Sequence, residues 1–427
     1  MPVRAKERRA LAGAILAGVL CVGVGGPRGT ATNQPLEGYD VGATKLVPAV
    51  QAAFARESYR PGERARLVVR HHSPRLTMQV LEAGPEHEPT TSARVMNGVP
   101  VSRVHSLGRI SGRRVVSLRV GHWESGLYFV RLRAADGTLG FAPFVVAPRH
   151  LGVHRVAVVL PTLTWQAYNF RDDDGDGQPD TWYAGKRENS VRLGRPFLDR
   201  GTPYGFRNQV GFLNWLHWTH KRVDYLSQWD LEHVPSPAAL ARAYSLVVFA
   251  AHHEYVTERE YDLVEGYRNL GGNLMFLSAN DFYWRVERKG DVIEKAGRWR
   301  DLGRPEAGLI GVEYVGHKPS PRGSWIVRRA QPDSWVFAGT DLHVGSAFAR
   351  GGVEIDQVTG ASPHRVRVIA EIPHLFGPGM KAQMTYYETG RGARVFAAGA
   401  FHLTRSVTSD PVVARLLSNL WARMARR

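Results

Sequence analysis

The pattern of apolar and polar positions divides the 427-residue chain into three stretches. Ala10 to Val24 is an apolar run behind Arg4, Lys6, Arg8 and Arg9, with small residues after it. That is the pattern of an export leader, with Gly29-Thr30-Ala31 as one cleavage site. The run is short and rich in Gly and Ala, and no later run reaches eighteen apolar residues, so no membrane-crossing helix is expected once the leader is removed. Between residues 46 and 147 the apolar residues come in short β-type runs at 65–70, 77–81, 114–120, 126–133 and 141–146. Turns at Arg60-Pro61-Gly62-Glu63, Gly84-Pro85 and Asp136-Gly137 separate them, and this spacing predicts a β-sandwich. Beyond Pro148 apolar strand runs at 155–160, 222–226, 245–250, 274–277 and 394–398 alternate with helical patterns at 210–220, 237–243, 257–269 and 411–424. Such alternation predicts a parallel sheet whose ligands lie beyond the carboxyl ends of its strands.

The expected organisation is therefore a leader at 1–30, a Gly, Pro and Thr-rich linker at 31–45, an all-β immunoglobulin-like sandwich at 46–148 and an α/β domain at 150–427. The expected location is secreted or in the cell envelope, without a lipid anchor, because Leu20 precedes the lone Cys21 where a lipoprotein leader has a small residue. Removal of the leader leaves no thiol, which excludes disulfides, Cys-ligated metals and cysteine nucleophiles. The chain is basic, at +17, but its charge is an arginine habit: 48 arginines stand against eight lysines. No basic run of five or more and no base-reading motif occurs, so nucleic acid is not expected as a partner.

Polar and aromatic residues gather after three strand runs. Pro161 to Asn169 follows Leu160, Ala251-His252-His253-Glu254-Tyr255 follows Ala250, and Ser278 to Arg285 follows Leu277. Oxygen and nitrogen donors at such places suit a metal that activates water, with Glu254 as ligand or general base. Equally, Glu254 reads as an acid in the first turn of a helix. No G-x-S-x-G elbow and no H-E-x-x-H pair is present.

In order along the chain, Pro161-Thr162-Leu163-Thr164-Trp165-Gln166-Ala167-Tyr168-Asn169, His252-His253-Glu254-Tyr255, Gly271-Gly272-Asn273-Leu274, Asn280, Tyr283-Trp284-Arg285 and Trp335 to Thr340 resemble the catalytic region of the N,N-dimethylformamidase large (beta) subunit family. The resemblance covers residues 150–427. It implies a glutamine-amidotransferase-like layer without that class's cysteine. It also implies a mononuclear iron held by two tyrosines and a glutamate, and hydrolysis of a small amide. Carried over by motif, Tyr168 and Glu254 match iron ligands, and His252 and Asn280 match groups that orient water or substrate. The family's Arg-Pro-Tyr segment is Arg195-Pro196-Phe197 here, which leaves Tyr204 as the substitute second tyrosine. The family's lysine near the site is matched by Arg300 or by nothing. The resemblance leaves open a homo-oligomer.

Asp172, Asp174, Asp176, Gln178 and Asp180 stand at positions 1, 3, 5, 7 and 9 of a loop with Gly177 at position 6. Alternate carboxylates and a sharp glycine turn suit calcium, although Tyr183 at position 12 departs from an EF-hand. The expected protein is an exported metal-dependent amide hydrolase. The rival reading is a non-catalytic binding module for a cell-surface glycan or a protein partner, favoured by the eleven tryptophans.

Overall fold

The computed structural model describes residues 48–427 except 91, 93, 184–188, 330, 331 and 427. The leader, its cleavage site, Cys21 and the linker at 31–45 lie outside the described residues.

The strand Arg64–Ala83 organises the N-terminal part. Its first half pairs with Gln51–Phe54 on one side and His105–Arg119 on the other, and its second half pairs with Gly126–Ala134. The register slips between Ser73 and Leu76, where Pro74 removes a ladder donor, and the sheet folds over there. The two halves then face each other across one core. Leu67 and Val69 from the first half meet Leu76, Met78 and Val80 from the second, with Tyr128, Val130 and Phe144. The result is sandwich-like, built from one hydrogen-bonded sheet of seven strands. The outer face of its second half is buried too. Leu81, Leu127, Phe129 and Phe141 pack against Phe212, Leu213 and Leu216 of the next part.

That next part is mixed α/β. Five parallel strands run in the order Asp224–Ser227, Val156–Leu160, Leu246–Phe249, Asn273–Phe276 and Arg394–Ala397. All five are short and largely buried, and Val156–Leu160 and Leu246–Phe249 are wholly buried and valine-rich, as strands covered on both faces should be. The helices beside them have local stop and start signals. Thr257 caps Glu258–Asn269 in a capping box with Glu260, and Asp410 caps Pro411–Met424 with proline at its first turn.

The parallel reading covers only half of this sheet. Ala382–Glu388 pairs antiparallel with Arg394–Ala397, and Arg367–Ile372, Glu313–Val327 and Ala347–Gln357 follow antiparallel in turn. The chain then closes on itself. Leaving Arg394–Ala397, it turns at Gly399 and adds Ala400–Phe401 to the far strand Ala347–Gln357. The antiparallel half is thereby curled, and its last strand lies over the carboxyl ends of the parallel ones. These strands escaped the sequence reading because their pairing is broken by repeated register shifts, and Glu313–Val327 shows no two-residue alternation of burial. No helix among the described residues is long and apolar enough to cross a membrane.

Gly399 makes the closure. Its φ is +68°, and an added Cβ would stand 2.1 Å from the Gln383 carbonyl oxygen. Gly399→Ala combines left-handed strain with a backbone clash, and should lower unfolding free energy by about 2–6 kcal/mol in urea titrations. At the junction of the two parts, burial and then the charges of Glu86 and Glu124 push the Glu82 carboxyl up to about 7. Between its ordinary 4.5 and 7, the folded chain holds a proton that the unfolded chain has lost. Stability therefore falls as pH rises through that window and stays lower above it. Glu82→Gln should be more stable than the parent by about 2–3 kcal/mol at pH 8 and equal to it at pH 4.

Candidate active site

The strand order reverses beside Val156–Leu160: the next two parallel strands lie on opposite sides of it. The crevice at such a switch point is where open α/β sheets bind ligands. Three chain exits converge there. After Leu160 the chain turns at Pro161 into the short helix Thr162–Ala167, and Tyr168 follows as its C-cap. After Phe249 it passes through His252 and Glu254 before the short strand Tyr255–Thr257. The helix starts only at Glu258, so Glu254 is not an acid of a first turn. After Phe276 the chain passes Asn280 and Phe282, both at positive φ (53° and 58°). The last two exits are tied together. The Asp281 carboxylate accepts from the His253 amide at 2.7 Å, and the Phe282 amide donates to the His253 carbonyl at 2.8 Å.

Glu254 is the centre of the cluster and is 3% exposed. The Tyr168 hydroxyl donates to its Oε2 at 2.6 Å and the Tyr183 hydroxyl at 3.1 Å. His252 Nε2 stands 3.1 Å from the same oxygen, and its Nδ1 is 3.0 Å from the Ala279 carbonyl, which fixes the ring. Tyr183 also meets the Tyr255 hydroxyl, to which Trp182 Nε1 donates at 3.2 Å. His253 is a structural residue: its ring nitrogens lie 2.7 and 3.1 Å from the carbonyls of Ala251 and Val159.

Burial opposes charge throughout this cluster. It would raise the Glu254 carboxyl, but the hydrogen bond and charge of His252 and the Tyr168 hydroxyl hold it below its ordinary value. Burial and then the Glu254 charge raise the Tyr168 and Tyr183 phenols well above 10. These phenols therefore ionise only when a cation balances them. Phenolate and carboxylate oxygens are hard donors that fit a trivalent cation such as ferric iron.

Tyr168, Glu254, His252 and Asn280 thus lie in one crevice. Tyr204 is beside them, its ring stacked on Tyr168 with centroids 5.5 Å apart, but it is 49% exposed. The hydroxyl that joins Tyr168 on Glu254 is that of Tyr183, which no motif marks. Phe197 packs against Trp165, with ring centroids 6.5 Å apart.

Two further residues went unread. The curled strand delivers Glu354, whose Oε2 lies 3.8 Å from His252 Nε2 and has no hydrogen-bond partner among the described residues. Asn280 Oδ1 is likewise unpartnered and buried. Its sequence signal is the pair Glu354 and Asp356 set inside an apolar strand. Lys295 places its ammonium over the rings of Trp284, Trp182, Tyr183 and Tyr255, at 4.2, 4.9, 5.3 and 5.8 Å. Burial lowers it to about 8 against the pull of Glu254. Arg300, the other basic candidate, pairs with Glu306 and donates to the Tyr314 carbonyl instead. A lysine in a chain that otherwise uses arginine was the available sign.

The acidic loop lies nearby in sequence. Asp172, Asp174 and Asp176 converge, with one carboxylate oxygen of each within 4.8 Å of the others. Gly175 and Gly177 amides donate to Asp172 at 2.7 and 2.8 Å, and the Gln178 amide to Asp176 at 2.9 Å. The Asp180 carboxylate caps the Asp173 amide, and Asp173 turns away to Arg171, Arg192 and Arg195.

Residues 113–411 match the family described as N,N-dimethylformamidase beta subunit-like, C-terminal. The N,N-dimethylformamidase beta subunit of an Alcaligenes species is 24% identical over 402 residues, covering 70% of this chain and 52% of the relative. That of Paracoccus aminophilus is 23% identical over the same shares. The chain thus spans about half the length of these curated relatives. Among solved structures, PhoD aligns with 82% of this chain at 9% identity with a TM-score of 0.22, and a superoxide reductase (neelaredoxin) from Ignicoccus hospitalis with 26% at a TM-score of 0.16. Scores at that level carry no fold argument. The family match extends over most of the chain and includes all three strand exits that build the crevice, and the chain belongs to the N,N-dimethylformamidase beta subunit-like C-terminal family.

Proposed function

We propose that this protein is an exported metal-dependent hydrolase of the C–N bond in small amides. The observation that carries the reading is the buried Glu254 carboxylate, shared by the hydroxyls of Tyr168 and Tyr183 and the ring of His252. The name of the curated relatives supports the amide chemistry, and the five parallel strands agree with an amidotransferase-like layer. Association with other subunits belongs to the same reading, since the relatives are named as subunits.

Tyr168, Tyr183 and Glu254 would hold an iron ion, with Tyr183 preferred to Tyr204 because its hydroxyl reaches the carboxylate. Iron when bound supplies Lewis acidity, which polarises a carbonyl and makes water a stronger acid. The chain's own residues do the rest. His252, anchored by the Ala279 carbonyl, holds a proton between Glu254 and Glu354 and can pass it to the departing nitrogen. Asn280 Oδ1 offers an acceptor for a substrate N–H or for water. The rings of Tyr183, Tyr255, Trp182 and Trp284 screen Lys295 from solvent and keep its charge directed at the site.

Protein purified without chelator should carry about one iron per chain and a tyrosinate absorption band. Tyr168→Phe, Tyr183→Phe and Glu254→Gln should lose both, with formamide hydrolysis falling about a hundredfold or more, while Tyr204→Phe keeps its iron. Full iron occupancy in Glu254→Gln would remove that residue from the donor set and sink the reading.

The loop at 172–180 is read as a calcium site, supported by the convergence of Asp172, Asp174 and Asp176. Calcium at a hundred times its Kd should then stabilise the chain by about 2.7 kcal/mol. Replacing Asp174 and Asp176 together by Asn should abolish that gain. Indifference of the parent's thermal midpoint to both calcium and chelator would leave the loop as a turn.

A further inference from the structure

The basic residues that look scattered along the sequence are assembled by strand pairing into one face to which neither strand contributes an acid. Residues 64–81 contain four arginines and residues 89–123 contain six, and neither stretch holds an Asp or Glu. Arg64–Ala83 and His105–Arg119 are hydrogen-bonded neighbours. On their solvent side Arg64 stands directly opposite Arg119, Arg66 opposite Ser117, Val68 opposite Val115, Arg70 opposite Arg113 and His72 opposite Ser111. All five arginines are exposed. None of them has an ion pair among the described residues.

Like charges placed directly across a ladder destabilise a sheet. Charges on an edge strand discourage edge-to-edge pairing, and that accounts for Arg113 and Arg119. It does not account for Arg66 and Arg70, because that part of their strand lies inside the sheet, between His105–Arg119 on one side and Gln51–Phe54 with Ala55 on the other. The face continues into a pocket of 170 Å³ lined by Val68, Arg70, Arg113, Arg192, Asp173 and Asp291. Asp173 there is already held by Arg171, Arg192 and Arg195, and Asp291 makes no ion pair with Arg70 or Arg113 among the described residues.

We propose that this face binds a linear anionic polysaccharide, one bearing carboxylate or sulfate groups. From Arg64 to Arg70 the strip is about 20 Å long, which suits a polymer rather than a single small anion. Guanidinium forks pair bidentately with carboxylate and sulfate-like groups. The strip carries no aromatic platform on which bases could stack. Its apolar residues, Val68 and Val115, lie level with the arginines and form no wedge for a lipid surface.

The test uses the whole chain and a variant with Arg66, Arg70, Arg113 and Arg119 each replaced by Ser. Binding to heparin and to polygalacturonate is measured as a function of salt around about 0.15 M. The parent should bind both. The variant should bind at least tenfold more weakly, and its slope of log affinity against log salt should fall by about three. Its denaturation midpoint should be no lower than the parent's, which separates lost binding from lost folding. Undiminished binding by a folded variant would overturn the proposal. So would equal competition, charge for charge, by duplex DNA or by phosphatidylglycerol vesicles. The outcome is independent of the amide hydrolase reading, since none of these arginines contacts the crevice residues.

Discussion

A carboxylate taken out of water must be repaid in hydrogen bonds and counter-charge, and Glu254 imposes that demand on everything around it. Tyr168 and Tyr183 meet it with hydroxyls, His252 with a ring nitrogen and Lys295 with a nearby ammonium. Each comes from a different element: the turn after the first parallel strand, the loop after the acidic segment, the exit of the third strand in sheet order, and a hairpin outside the main sheet. The same low dielectric that makes Glu254 costly makes ionised phenols costly, so the cluster is poised to accept a cation. Stability and chemistry are thus the same electrostatic problem at this position.

The crevice needs two separate folding devices. Parallel strands with a reversal of order open it, as in other sheets of this kind. Left to that half alone, it would contain Tyr168, Glu254, His252 and Asn280 and be open on one side. The antiparallel half closes it by curling until Ala400–Phe401 pairs with Ala347–Gln357. That closure brings Glu354 to His252, sets the Phe401 ring against the imidazole at 4.9 Å, and lets Asp356 accept the Asn280 amide at 2.8 Å. The strained backbone of Asn280 is held by that last bond.

The N-terminal sheet is more than an appendage, for a reason also rooted in burial. Its second half is covered on both faces, inward by its own fold and outward by the helix Val210–Trp218. Leu127 and Phe129 face one core while Tyr128 and Val130 face the other. An alternating strand with large apolar residues at both parities is the sequence trace of that arrangement, and a solvated outer face would have shown polar residues instead.

Short-range physics made much of this legible in the chain itself. The buried strands at 156–160 and 246–249, the capped helices at 258–269 and 411–424, and the placement of Tyr168, Glu254 and Asn280 just past strand ends follow from apolar runs, caps and turns. These are local preferences, fixed within a few residues. The approach of Tyr183 and Lys295 to Glu254 and of Glu354 to His252 was not legible, because each spans a long stretch of chain, whatever sign the residue itself carried. The arginine face is the same case on the surface. Along the sequence its members are separated by apolar and neutral residues and form no basic run. Only the register of two antiparallel strands sets Arg64 against Arg119 and Arg70 against Arg113, because the two-residue period of a strand decides which side chains share a face, and tertiary pairing decides which strands are neighbours.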